Sequence, residues 1–195
     1  MQSGRLDIKY LNNQAFSIMM TPYEIGPFRP PSEAGSLLVR VTRNCPWNKC
    51  EFCPLYKADS YETRPVNEVL EELESRSNID FLKRREYNTA FLQDADSIRM
   101  PTSDLIEILK KIKELYPKIT RITTYARADS LTKKSVEELK ELHDAGLTRI
   151  HRGLETGYDA LLKYMKKGAT AKLQIEGGLK VKQAEISLSD YSPEL

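Results

Sequence analysis

Five short runs rich in apolar and β-branched residues, each separated from the next by helix-patterned sequence, limit what this chain can fold into more than any other feature. The runs are SLLVRVT (36–42), TAFLQD (89–94), ITRITTYAR (119–127), LTRIHRGLE (147–155) and ISLS (186–189). Branched side chains pack well on a pleated surface, so each run reads as a strand. Between the first two, PVNEVLEELES (65–75) sets Val66, Val69, Leu70 and Leu73 on one helical face. Thr102 is placed to cap a second helix lined by Leu105, Ile106, Leu109 and Ile112, and Pro117 ends it. Val136, Leu139 and Leu142 line a third helix that stops at Gly146. A short helix with Leu161, Leu162 and Met165 stops at Gly168, and residues 171–185 form another, weakened by Gly177-Gly178. Parallel strands need long crossovers, and helices supply them, so the pattern predicts an α/β fold built from βαβ units. A doubly wound sheet and a (β/α) barrel both satisfy it.

The 195 residues suffice for one domain with a sizeable core. We expect residues 1–35 to form an extended N-terminal segment, because GPFRPP (26–31) suits neither helix nor central strand, and residues 36–195 to form the core domain. The net charge of +2 argues against a nucleic-acid or membrane surface. Lys83-Arg84-Arg85 is short and followed by Glu86, as at a solvated helix end. No apolar stretch reaches bilayer length, and Ala15–Met20 is too short for a secretory signal. The expected location is the cytoplasm, where clustered cysteines bind metal or do redox work more often than they form disulfides.

All three cysteines lie in RNCPWNKCEFC (43–53), as Cys45, Cys50 and Cys53. Their spacing, C-x4-C-x2-C, admits three readings. Structural zinc needs a fourth ligand, for which His143 and His151 are the histidines available. An electron-transfer iron–sulfur cluster of plant-ferredoxin type needs a fourth cysteine, which this chain lacks. A four-iron cluster held by three thiolates keeps one iron open for a small molecule, the logic of a catalytic metal site. Other polar residues gather at the C-terminal ends of the strands: Asp94 and Asp96 after the second, Arg127 and Asp129 after the third, Arg152 and Glu155 at the fourth. In barrel enzymes that rim carries the active site.

On these residues the sequence resembles the radical S-adenosylmethionine (SAM) superfamily. CPWNKCEFC, with Phe52 just before the last cysteine, carries the resemblance; YARAD (125–129) and RGLETG (152–157) support it, and it extends over about residues 36–190. The spacing departs from the family's commonest form by one extra residue between the first two cysteines, as in a subset described loosely as Fe–S oxidoreductases. The resemblance implies a partial (β/α) TIM-like barrel with about five parallel strands, open or incomplete, the chain ending before a sixth. It implies a [4Fe-4S] cluster ligated by Cys45, Cys50 and Cys53. SAM would chelate the open iron and be cleaved reductively, giving a 5′-deoxyadenosyl radical that takes hydrogen from an unknown substrate. Phe52, Asp94, Asp96, Arg127, Arg152 and Glu155 would contact SAM; Asp94 or Asp96 would replace the glutamate of a Gly-Gly-Glu-like motif, and Arg152 and Glu155 would meet its carboxylate and ribose. An electron donor such as ferredoxin or flavodoxin would be the partner. The alternative is a non-catalytic Fe–S module.

Overall fold

The computed structural model describes residues 28–57 and 60–192. Five parallel strands form one sheet: β1 (Leu37–Arg40), β4 (Thr89–Gln93), β5 (Arg121–Ala126), β6 (Leu147–Gly153) and β7 (Ser187–Tyr191). They lie side by side in chain order. Right-handed crossovers that always step the same way put the crossover helices on the same face, and a doubly wound sheet would need a reversal of order. The sheet is therefore of barrel type, and among the described residues it is not closed.

The helices are α1 (Val66–Leu82), α2 (Thr102–Leu115), α3 (Ala128–Lys133), α4 (Val136–Asp144), α5 (Asp159–Tyr164) and α6 (Ala171–Gln183). Leu105, Ile108, Leu109 and Ile112 of α2 are at most 1% exposed and meet Leu37, Ala90, Leu92, Ile122 and Ile150 of the sheet in one core. Truncating one of its leucines or isoleucines to alanine costs ~2–5 kcal/mol. The alternate strand positions face the inner side. There Phe91, Tyr125, His151 and Tyr191, one from each consecutive strand, meet ring to ring at centroid distances of 5.1, 6.1 and 5.6 Å.

Several local features differ from the sequence expectations. The helix after β5 is two: α3, then α4, whose Ser135–Glu138 capping box starts a new segment. Thr102 lies inside α2, with Pro101 as the cap, and its hydroxyl donates to Glu138 at 2.5 Å. The fifth strand runs on to Tyr191, beyond ISLS. Of the N-terminal segment, residues 1–27 lie outside the described residues. The remainder includes one 3-10 turn, Pro31–Glu33, and Glu33 is fully buried beneath the inner face. Its carboxylate accepts from the Ser36 hydroxyl at 2.6 Å and lies 3.5 Å from Arg121 and 3.6 Å from His151. Burial lowers the pKa of His151, and Glu33 acts in the opposite sense.

Candidate metal and cofactor site

The cysteine loop leaves the C-terminal end of β1 and is gripped from both sides. At its base a two-residue antiparallel ladder pairs β2 (Thr42–Arg43) with β3 (Glu62–Thr63). Buried Asp94, just past β4, accepts from the backbone N–H of Asn44 at 3.1 Å, and the Asp94 N–H donates to the Thr42 hydroxyl at 3.1 Å. At its tip the Trp47 indole donates to the carbonyl of Lys166 at 2.7 Å, and the Glu51 N–H to that of Met165 at 3.0 Å. Gly168, at φ +69°, lies flat against the Trp47 ring, where any side chain would collide. Asn44 and Asn48 take left-handed turns (φ 65° and 51°) that asparagine tolerates.

Cys45, Cys50 and Cys53 face two adjoining chambers and are wall to both. Chamber A, about 170 Å3, is lined on its far side by Phe52, Arg127, Gly153, Glu155, Lys167 and Gln174. Lys167 Nζ donates to Glu155 at 2.6 Å and lies 5.6 Å from the Phe52 ring centroid. A side chain on Gly153 would displace that ion pair. Glu155 is held at φ +62°, a strained conformation for this residue of the kind that persists at functional sites. The Gln174 amide oxygen is buried without a hydrogen-bond partner. Chamber B, about 210 Å3, is lined by Phe28, Leu55, Tyr56 and the shared Tyr125.

The structure thus brings Phe52, Arg127 and Glu155 together with the three thiols. Asp94 and Asp96 are placed differently: both are buried beneath the rim, and Ala95 between them lines the chambers. Asp96 accepts from the Ser130 hydroxyl at 2.6 Å and the Arg127 N–H at 3.1 Å, which joins the β4 rim to α3. Burial raises its pKa to about 6 against the pull of those bonds. Arg152 points to the helical side of the sheet. Its guanidinium pairs with Asp190 at 2.7 and 2.8 Å and donates to the carbonyl of Gln174 under α6, so the structure does not bring it to the thiols. Arg127 is itself braced, donating to Asp129 at 3.0 Å and to the carbonyl of Lys167 at 3.1 Å. Lys167 and Gln174 escape a reading of the sequence because they belong to the last turn before α6 and to α6 itself, where no motif marks them. The interruption by Gly168 just before a polar helix is the available signal.

The donor set fits an iron–sulfur cluster better than a single ion. Among the described residues no three His, Cys, Asp or Glu side chains converge as ligands of one ion do. His151 is on the inner face against Glu33, and His143 lies at the end of α4 beside Asp144, so neither joins the thiols as the zinc reading requires. The thiols instead surround shared space. Burial raises the pKa of Cys50, while Lys167 and Arg127 lower it, and the same two cations would offset the negative charge of thiolates and sulfides.

Comparison with known proteins agrees. A family model described as "Radical SAM superfamily" matches residues 39–191. The 4′-phospho-dehydrooxetanocin synthase of Priestia megaterium is 30% identical over 171 residues, 78% of this chain but only 22% of that protein's length. The cobalamin-dependent SAM radical enzyme OxsB, solved with aqua-cobalamin and SAM bound, superposes with a TM-score of 0.65 at 24% identity, over 80% of this chain and 23% of its own. The radical SAM methyltransferase TsrM from Kitasatospora setae, solved with cobalamin and a [4Fe-4S] cluster, gives 0.61 at 18% identity, over 80% and 30%. At those identities the two structures speak to the fold, and both neighbours are radical SAM enzymes. With a family model covering most of its length and an open parallel sheet carrying three thiols at its rim, this chain belongs to the radical SAM superfamily.

Proposed function

We propose that the chain holds a [4Fe-4S] cluster through Cys45, Cys50 and Cys53, and binds SAM in chamber A for radical chemistry on a substrate. The observation that carries this is the pairing of three thiols, and no fourth cysteine, with a charged chamber they wall on one side. When bound, cluster and SAM supply reductive cleavage of the sulfonium and a carbon radical able to abstract hydrogen. The chain's own residues bind and orient. Lys167 and Arg127 face the thiols; Glu155 offers a carboxylate, and Gln174 a buried, unpartnered amide oxygen, to the ammonium and hydroxyl donors of the cofactor. Phe52, 47% exposed beside Cys53, gives a flat apolar surface at the chamber's edge. The electron donor we propose is a partner such as ferredoxin or flavodoxin. The proposed setting is the cytoplasm, where thiols stay reduced; among the described residues no helix is long and apolar enough to cross a membrane.

The test is EPR of the anaerobically reconstituted, dithionite-reduced protein with and without SAM. A [4Fe-4S] signal that shifts on adding SAM is the expected result. A signal indifferent to SAM would select the non-catalytic Fe–S module, and the absence of any cluster would sink the proposal.

A further inference from the structure

Chamber A meets the needs of a charged cofactor; chamber B has a different chemistry. Beside the three cysteines and Ala95, its walls are Phe28, Asn48, Leu55, Tyr56, Lys57 and Tyr125, with no carboxylate among these described residues. Lys57, the one cation along it among the described residues, turns its Nζ onto the carbonyls of Asn48 and Cys50 at 3.2 and 2.8 Å. A cation entering here would lose its hydration and meet no carboxylate among the described residues, and an anion would meet only an ammonium already held by two carbonyls.

The wall is also built rather than incidental. Tyr56 sits at φ +63°, a conformation that bulky L residues avoid and that persists only where the surroundings impose it. Those surroundings are visible. Its carbonyl accepts from the Asn48 side chain, its ring stands edge-on to Phe28 at 5.6 Å, and the residue is only 5% exposed. The effect is to hold an aromatic side chain in the wall it shares with Cys45, Cys50 and Tyr125.

We propose that chamber B is the substrate pocket and that it receives an uncharged aromatic ring. A cavity of about 150 Å3 holds benzene, so the chamber, about 210 Å3, has room for a ring. Aromatic walls favour an aromatic guest through edge-to-face contact. Because the chambers share Cys45, Cys50, Cys53, Ala95 and Tyr125, a ring in B lies beside whatever occupies A. The inference rests on the cofactor reading of chamber A for the reaction, and on chamber B alone for the ring.

Equilibrium dialysis of indole against the reconstituted protein tests it, using wild type and Leu55→Trp, each with and without saturating SAM. Cyclohexanol serves as the apolar but non-aromatic comparison. The expected result is one saturable indole site, tighter than that for cyclohexanol, weakened about tenfold when Leu55→Trp fills the chamber, and not displaced by SAM. If Leu55→Trp does not fold, Leu55→Phe fills less and is read in the same way. Absence of indole binding, equal affinity in the filled variant, a preference for cyclohexanol, or displacement by SAM would each overturn the proposal. The EPR experiment on wild type keeps the two readings apart. A SAM-dependent shift without indole binding fails this inference alone, and indole binding lost on filling, without a SAM shift, fails the cofactor reading.

Discussion

At the residue scale the thiols carry the strongest expectation. On the cluster reading, replacing Cys45, Cys50 or Cys53 by alanine removes a ligand for which the described residues offer no substitute thiol, so reconstituted iron and sulfide per chain should fall to background in each variant. Glu155→Ala leaves those contents intact and weakens SAM binding about tenfold, as loss of a charge-assisted hydrogen bond worth ~1.5 kcal/mol does, read by titration of the EPR shift. Asp96 makes a pH prediction. Its folded-state pKa of about 6 lies above the ordinary 3.8, so the folded state holds the proton more tightly than the unfolded chain. Stability from this group is therefore full below about pH 4, lost as pH rises toward 6, and absent above it. Urea denaturation at pH 5 and pH 7.5 should show Asp96→Asn suppressing that fall, by ~1–3 kcal/mol. The cysteines were legible because their chemistry is written in their spacing. Asp94 and Asp96 were legible as rim residues, but their roles were not, since in the sequence a carboxylate that grips a loop looks the same as one that grips a ligand. The structure shows Asp94 gripping the loop at the Asn44 N–H.

At the element scale, α6 shows why propensity is a weak guide. Two adjacent glycines cost about 1 kcal/mol each in a helix interior. Yet the helix runs unbroken, because Gly177 lets it approach α3 until a Cβ would stand 3.2 Å from the Ala128 carbonyl. Gly177→Leu should force the two helices apart and cost ~1–3 kcal/mol in urea denaturation. Arg152 ties the same helix to the sheet through the Gln174 carbonyl and Asp190, with its own side chain 4% exposed. Arg152→Ala leaves the buried Gln174 carbonyl without its donor while Asp190 stays open to solvent, a loss of ~1–3 kcal/mol, with cluster content unchanged in the variant that remains folded. Sequence placed this arginine at the right strand end but could not give its side. A strand alternates faces, and β6 turns Arg152 toward α6 while Gly153, next along, opens onto chamber A.

At the scale of the whole molecule, the parallel sheet grades from a protected centre to open edges. Amides of β4 and β5, bonded on both sides, should exchange with solvent far more slowly than those of β7, which has one neighbour among the described residues. Hydrogen exchange followed by mass spectrometry would show it, and equal protection across the sheet would contradict the edge assignment. The sequence by itself determined the five strands of the main sheet, the helical segments that cross between them, and the clustering of all three cysteines in one loop. These rest on local periodicity and on side-chain chemistry carried within a few residues. Only the tertiary structure decided that the strands lie side by side in chain order, that Arg152 pairs with Asp190 under α6, and that Lys167, Gln174 and Tyr56 frame two unlike chambers around one loop. Those outcomes depend on which distant segments pack together, and residues as far apart as Trp47 and Lys166 share no local signal that could announce their contact.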